Sequence, residues 1–405
     1  MKNKNQPQYR WIVLTLFIFV ALLTQLLWLT FAPISSEAAN LYNVTAFEIS
    51  ILSLVWPLVF VILAIPVGII IDRKGFKTSV TIGAIFLAVF SIIRIFSIYL
   101  DYNFELLIIA QTGAAISQPF VFGSLTKLSI SWFSEEEQGI ATGLGSIGLF
   151  LGMMLALVIT PMLYLSVGFT KMMIIYAYIS ILGAFLFIVL AKENHETKMI
   201  KDESDQYTIK DMWTLSKLRP FLILEFGFFV VVGGFTAILT WIEEILRSLH
   251  GLSIDEAGIL GGLLIIGGII GSIVIPAISD KTKKIKPYVL IDILIGSITL
   301  YLIAVVSGYF LLAIIFFIAG FFLMSALPLV LEISSRLCEK GMEGRSASLL
   351  WFFSQVGSVI LILLVEPIYE IFSDYYYVIL IIVVLWITAF LLFLSLKEVT
   401  KKTCK

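Results

Sequence analysis

The chain has 405 residues, of which 60% are hydrophobic and only 14% are charged, and its formal net charge at pH 7 is -1. Its mean hydropathy is +1.05. Soluble domains carry about 25% charged residues, so this composition excludes an ordinary soluble protein and predicts a chain that lies mostly in lipid.

The apolar runs predict an all-α membrane protein with 12 transmembrane helices, since each span needs about 20 apolar residues. Residues 1 to 10 are polar and basic, and the run that follows is long enough to span, so we expect no cleaved signal peptide. The predicted spans are 11–34, 46–71, 78–99, 104–128, 137–164, 170–191, 219–247, 254–279, 287–307, 309–335, 343–367 and 374–396.

The basic residues predict the orientation of these spans. Of the 27 lysines and arginines, 24 fall in segments on the side of the two termini. Lys171 and Arg247 fall on the other side, and Arg94 lies within a span. The positive-inside rule therefore predicts that both termini are cytoplasmic in a multi-pass protein of the cell membrane. Cys338 and Cys404 fall on the same reducing side, so no disulfide is expected.

A charged hairpin follows the second predicted span. The sequence GIIIDRKGFK, residues 68–77, places an acid and three bases at the end of an apolar helix, where they mark the membrane surface. Gly75 supplies the backbone freedom of a short turn. A similar pattern, PAISDKTKKIK, begins 208 residues later at Pro276. Any short cytoplasmic loop favours Arg, Lys and Gly, which is the alternative interpretation.

The chain divides near its middle. Residues 192–217 form its longest polar stretch and predict a cytoplasmic linker, with a surface helix around residues 209–218. The residues after the fourth span, beginning at Glu137, resemble those after the tenth, beginning at Glu343, at an offset of 206. We predict an N-terminal half (1–191), a linker (192–218) and a C-terminal half (219–405).

The hairpin spacing resembles the signature G-x-x-x-D-R-x-G-x-[KR] of major facilitator superfamily transporters. The resemblance implies two six-helix halves related by a parallel repeat, with a central cavity and transport by alternating access. It also implies a gating or conformational role for the hairpin and its counterpart in the second half. The residues concerned are Gly68, Asp72, Arg73, Gly75, Lys77 and Asp280.

Several polar and aromatic residues near mid-span are candidates for the substrate site. Gln355 lies at the centre of the eleventh span beside Trp351, and Gln111 and Gln118 interrupt the fourth. Glutamines in membranes form interhelical hydrogen bonds as readily as they bind ligands. Trp28, near the end of the first span, has the alternative of facing lipid at the interface.

Four runs resemble the FLVCR-type branch of the superfamily, which includes haem and choline transporters. They are WLTFAPISS from Trp28, SQPFVFGSLTKLSISWF at 117–133, GGFTAILT at 233–240 and the segment 327–355. The resemblance implies that Trp28 and Gln355 line the cavity. Thr236 stands where the family has a tyrosine, and Phe150 where it has a glutamine. An aromatic cage for a quaternary ammonium group would therefore be altered here.

Ionisable residues within spans are costly and point to function. Acids (Glu37, Glu225, Glu243, Glu244, Asp292, Glu332 and Glu366) outnumber the single base Arg94, which favours a cationic or zwitterionic substrate. Glu243 and Glu244 precede Arg247 by one turn, so they form either a structural ion pair or an acidic outer vestibule.

No motif supports an enzyme, a cofactor or a metal site. The G-x-G-x-x-G at 143–148 follows no strand, so it is not a nucleotide site. The G-x-x-x-G pairs at 148–152 and 267–271 predict close approach of helix backbones. Residue 108 is Ile where an arginine is usual in the superfamily, and the fifth span lacks a Gly-Pro pair, which disfavours proton-driven efflux.

We therefore predict a monomeric carrier that moves a small organic solute across the lipid bilayer by facilitated or secondary-active transport, with no nucleic-acid partner. A lipid or drug exporter of the same fold is the first alternative. A non-transporting membrane receptor or sensor is the second, and it would usually need an appended soluble domain.

Overall fold

The computed structural model describes residues 6–194, 213–338 and 342–398, and its long elements are all helices. The predicted linker and its surface helix lie largely outside these ranges. The chain forms two compact units, Met1–Ile200 and Lys201–Lys405.

The first unit begins with a long helix, followed by a short 3-10 turn at Ala32–Ile34. Its helices are α1 (Gln6–Trp28), α2 (Ser35–Tyr42), α3 (Ala46–Tyr99), α4 (Phe104–Ala115), α5 (Ser117–Trp132), α6 (Glu135–Val167) and α7 (Phe169–Leu190). The helices of the second unit are α8 (Arg219–Thr240), α9 (Ile242–His250), α10 (Ile254–Thr282), α11 (Lys286–Val305), α12 (Tyr309–Leu337), α13 (Glu343–Phe372) and α14 (Tyr375–Leu394).

Eleven helical segments of the described chain are long and apolar enough to cross a membrane. One of them, α3, has 54 residues and is interrupted at Gly75, whose φ of 84° and ψ of 171° are not helical. An uninterrupted helix of that length would extend for about 80 Å, whereas the hydrocarbon core of a bilayer is about 30 Å thick. The break at Gly75 divides α3 into two arms, each long enough for one span.

Corresponding helices pair in the same way in the two units. In the first unit α1 packs on α6, and α3 packs on α4, α5 and α7. In the second unit α8 packs on α13, α10 and α11 pack on α12, and α11 also packs on α14. This repeated pattern is the structural counterpart of the sequence echo.

Close packing at the predicted G-x-x-x-G pairs is confirmed. A Cβ atom at Gly152 would collide with the backbone carbonyl of Leu22 on α1. One at Gly271 would collide with the carbonyl of Phe321 on α12. Backbones this close leave no room for a side chain.

Three predicted span boundaries are wrong for local reasons. The predicted span 104–128 is broken at Ile116, because Pro119 has no N–H to bond the carbonyl four residues earlier. Its second helix ends at Trp132. The first span ends as a helix at Trp28, shortly before Pro33. The predicted span 219–247 ends at Thr240, and its last part forms the separate helix α9.

Candidate functional site

Trp28 is the last residue of α1 and is only 7% exposed. Its indole Nε1 donates a hydrogen bond of 3.1 Å to the carbonyl of Ser53 on α3. The alternative of a lipid-facing tryptophan is therefore wrong. The helix ends at Trp28 itself, so the expectation that the helix continues five or six residues further is also wrong.

Three buried glutamines of the first unit, Gln118, Gln25 and Gln111, each have one unsatisfied amide atom. Gln118 is 3% exposed, and its Oε1 has no hydrogen-bond partner in the described structure. Gln25 is 1% exposed, and its Nε2 also has no hydrogen-bond partner in the described structure. It lies one turn before Trp28 on α1. Such groups need an explanation in a folded protein, and a ligand is one. Sequence reasoning missed Gln25, although a glutamine within the apolar segment QLLWLTF was the available signal.

Gln111 has a structural role instead. It is buried, and its Nε2 donates to the carbonyl of Leu27 on α1 at 3.1 Å, while its Oε1 has no partner in the described structure. This is the interhelical hydrogen bond that membrane glutamines often form.

Phe150 is half-buried on α6 between Gly148 and Gly152. Those two glycines meet the backbone of α1. A residue two positions from each is rotated by about 200° around the helix, so Phe150 points away from the α1 contact. The structure therefore does not bring Phe150 onto the face of α6 that packs on α1.

In the second unit Trp351 and Gln355 lie one turn apart on the same face of α13, and both are half-buried. The ring of Trp351 meets Phe228 of α8 edge-on, with centroids 5.9 Å apart. Thr236 of α8 is buried, and its hydroxyl donates to the carbonyl of Val232 at 2.9 Å. Because that donor is used within its own helix, Thr236 can offer a ligand only an acceptor.

The hairpin at Gly75 is held by an acid that follows α7. The Glu193 carboxylate accepts a hydrogen bond of 2.8 Å from the backbone N–H of Lys77. A Cβ atom at Gly75 would lie 2.8 Å from that carboxylate. Asp72 and Arg73 are exposed, and Gly68 has open space beside it.

The second unit repeats this arrangement. Glu398, which follows α14, accepts bonds from the backbone N–H groups of Ile285 at 2.9 Å and Lys286 at 3.4 Å. These residues begin α11, as Lys77 begins the second arm of α3. Asp280 is exposed near the end of α10. Neither carboxylate was anticipated from the sequence.

Glu243 and Glu244 form ion pairs with Arg247, which is one of the two alternatives that the sequence offered. Both are buried on α9, and Arg247 bonds both carboxylates, with 3.1 Å between its Nε and Glu243. Burial raises the pKa of the Glu244 carboxyl to about 7, with the neighbouring Glu243 adding to the effect. No group of three His, Cys, Asp or Glu residues in the described ranges could hold a metal ion.

Arg94 is a buried cation without a carboxylate partner in the described structure. It is 1% exposed, and its Nε and Nη1 have no acceptor. Its Nη2 lies 3.7 Å from the sulfur of Met173, and its guanidinium carbon lies 4.9 Å from the ring centre of Phe31. Glu37 instead accepts a bond of 2.6 Å from Tyr164.

Comparison with known proteins identifies the fold. The chain superimposes on a bacterial homolog of the human lysosomal transporter Spinster, in an inward-facing and unoccupied conformation, with a TM-score of 0.73. The match covers 95% of this chain and 96% of the other at 15% identity, so it concerns the fold alone.

Two curated relatives show sequence similarity. The chain is 24% identical over 376 residues to the choline/ethanolamine transporter flvcr2a of Danio rerio, covering 86% of this chain and 78% of the relative. It is 30% identical over 296 residues to solute carrier family 49 member A3 of Xenopus tropicalis, covering 69% of this chain but only 60% of that relative.

A family model shows the class of protein, a multi-pass membrane transporter of a small molecule. The family model of the Major Facilitator Superfamily matches residues 15–362. The chain belongs to this superfamily, and its similarity to the choline/ethanolamine transporters confirms the resemblance inferred from its motifs.

Proposed function

We propose that the chain is a facilitator-type carrier of a small organic cation or zwitterion. It crosses the cell membrane 12 times, with the two arms of α3 counted as separate spans and both termini in the cytoplasm. The distribution of 24 of the 27 basic residues supports this orientation. The carrier acts as a monomer by alternating access.

The observation that carries the substrate class is the similarity to transporters named for choline and ethanolamine over 86% of this chain. Both named solutes are small amino alcohols whose nitrogen carries a positive charge. A positively charged group gains roughly 0.5 to 2 kcal/mol over an aromatic face, without any need for an acidic partner.

The candidate residues have the chemistry that this class needs. Trp28, Phe150 and Trp351 supply aromatic faces, and the unsatisfied Oε1 of Gln118 is an acceptor for a hydroxyl or an ammonium group. Gln355 and Thr236 supply further acceptors. Ring faces and oxygen acceptors attract positive charge, so the proposed contacts suit a small cation better than an anion.

The differences from the resembled family keep the proposal at the level of a class. Where a tyrosine is replaced by Thr236, one ring face is lost, and where a glutamine is replaced by Phe150, one is gained. Because the aromatic rings occupy different positions here, a related amino alcohol or zwitterion suits these residues as well as choline does.

We propose that the charged hairpin acts in the conformational cycle. Asp72, Arg73 and Lys77 lie beside a turn that Gly75 and Glu193 hold in place, and Asp280 is the counterpart in the second unit. Gly68 lies on the arm that leads into this turn. Substitution of Asp72 by Asn is then expected to slow transport while leaving ligand affinity within a few fold.

Uptake into proteoliposomes tests the function directly. The purified chain would be reconstituted and assayed with labelled choline, ethanolamine, a neutral polyol and a carboxylate anion. We expect time-dependent uptake of at least one cationic or zwitterionic solute that excess unlabelled solute inhibits. Uptake restricted to the neutral or anionic solutes would contradict the proposed class.

A further inference from the structure

The second unit contains a cavity of about 360 Å³ that the proposed transport function does not use. It lies where α8 and α11 begin and where α12 and α14 end. Four helix ends meet there. They lie at the end of the unit that carries most of its basic residues, which is the predicted cytoplasmic end. The cavity is therefore at the surface of the bilayer and not at its centre.

Three basic side chains and one acid line its mouth. Arg219 begins α8, Lys286 begins α11, and Lys397 and Glu398 follow α14. The Lys286 ammonium donates to the carbonyls of Leu394 at 2.8 Å and Leu396 at 2.6 Å, which leaves one donor. Glu398 is engaged with the backbone at the start of α11.

Arg219 and Lys397 are both exposed and have no ion-pair partner in the described part of the chain. With Lys286 they give the mouth an excess of positive charge. A guanidinium and two ammonium groups around one opening are suited to a phosphate oxygen cluster.

The remainder of the lining is apolar. Ile223 of α8, Ile333 and Leu337 of α12, and Leu396 form it. A smaller void of about 10 Å³, lined only by apolar residues and Gly227, lies one to two turns further along the same helices. The apolar lining thus continues from the charged mouth toward the hydrocarbon.

We infer that this cavity binds an anionic phospholipid, with its phosphate at Arg219, Lys286 and Lys397 and an acyl chain along the apolar wall. Basic pockets between membrane helices at the cytoplasmic surface have this chemistry. A free phosphate ion would use the mouth alone and would leave the apolar wall without an occupant. The combination of a charged mouth and an apolar wall favours the lipid.

Native mass spectrometry of the delipidated full-length protein in neutral detergent tests this inference. Phosphatidylglycerol, phosphatidylcholine and glycerol phosphate would be titrated separately. The test variant is Arg219→Gln with Lys397→Gln, which spares Lys286 because its backbone bonds support the fold. The matched control is Lys281→Gln with Lys284→Gln, which removes two exposed charges at the same end of the unit, outside the cavity.

We expect phosphatidylglycerol to bind the native chain more tightly than phosphatidylcholine, and the test variant to weaken that binding by about tenfold or more. The control variant is expected to bind as the native chain does. Equal loss in both variants would show a diffuse surface charge and would overturn the inference. Equal binding of phosphatidylcholine, or saturation by glycerol phosphate with exclusion of the lipid, would also overturn it.

Discussion

The carboxylate of Glu193 accepts a hydrogen bond of 2.8 Å from the backbone N–H of Lys77, 116 residues earlier in the chain. It satisfies a backbone donor at the start of the second arm of α3, where the four first N–H groups of a helix have no partner within the helix. A negative charge at this position also suits the helix dipole. Glu193, three residues after the end of α7, thereby fixes the turn between the two arms of α3.

Glu398 has the same relation to α11, so the arrangement is part of the internal repeat. The dipeptide Lys-Glu occurs at 192–193 and again at 397–398, each time two or three residues after the end of the last helix of a unit. The same contact therefore forms at the corresponding place in both units.

Loss of either carboxylate should destabilise its own unit. Glu193→Ala and Glu398→Ala are each expected to lower the free energy of unfolding by about 1 kcal/mol, the usual cost of losing a helix cap. Thermal unfolding of the purified variants measures this loss. Glu105→Ala, an exposed acid in the first turn of α4, is the control and should cost less. Equal losses in all three would contradict a specific capping role.

Two glycines of the same motif should respond differently to alanine. Gly75 has a φ of 84°, and an added Cβ would lie 2.8 Å from Glu193. Gly75→Ala is therefore expected to lower stability by roughly 1 to 2 kcal/mol or more. Gly68 is helical with nothing near its Cβ position, so Gly68→Ala should be neutral or stabilising. Comparable destabilisation by both substitutions, measured as unfolding midpoints, would argue against this account of the turn.

The sequence predicted most spans because a lipid-embedded helix leaves a continuous apolar run that is readable locally. It also predicted the turn at Gly75 and the close contact at Gly152. Contacts such as Glu193 with Lys77 could not be predicted, since they join residues that are far apart and neither residue is unusual in its local pattern. The helix break at Ile116 was readable from Pro119 but was not recognised.

The candidate site was predicted only in part. The sequence favoured a Trp28 that does not face lipid, and its burial agrees with this. The polar character of Gln118 was also apparent from the sequence. The unsatisfied amide of Gln25 and the internal bond of Thr236 depend on how side chains are oriented, which periodicity does not specify. The direction of Phe150 relative to α1 was readable from its position two residues from Gly148 and Gly152, but it was not recognised.

The stability of the protein should depend on pH through Glu244. Because the pKa of its carboxyl is raised to about 7, the folded state keeps a proton that the unfolded state releases above its ordinary pKa of about 4.5. The stabilising contribution is present below pH 4.5 and is lost as the pH rises to about 7. Glu244→Gln is expected to flatten this part of the curve of unfolding midpoint against pH.

Glu105→Gln removes an exposed carboxyl in the first turn of α4 and is the control for that experiment. It should leave the slope between pH 4.5 and pH 7 unchanged. A slope that persists in Glu244→Gln, or that disappears in the control, would contradict the assignment to Glu244.

Arg94 should be replaceable by an apolar residue of similar length. An unpaired buried cation costs several kcal/mol in desolvation, and contact with Phe31 and Met173 offsets only part of it. Arg94→Met is therefore expected to leave stability unchanged or to increase it. A loss of 3 kcal/mol or more, measured by unfolding, would show that a counter-charge is bound there in the native protein.

The central claim is that Trp28 and Gln355 contact a small cationic or zwitterionic solute, and equilibrium binding to the purified protein tests it most directly. Because truncation of a buried tryptophan threatens folding, Trp28→Phe and Trp28→Leu would be compared, with Gln111→Leu as the control for Gln355→Leu. We expect Trp28→Leu and Gln355→Leu each to weaken binding by about tenfold or more. We expect Trp28→Phe to keep most of the affinity and folded Gln111→Leu to bind normally. Native affinity in folded Trp28→Leu and Gln355→Leu would contradict it.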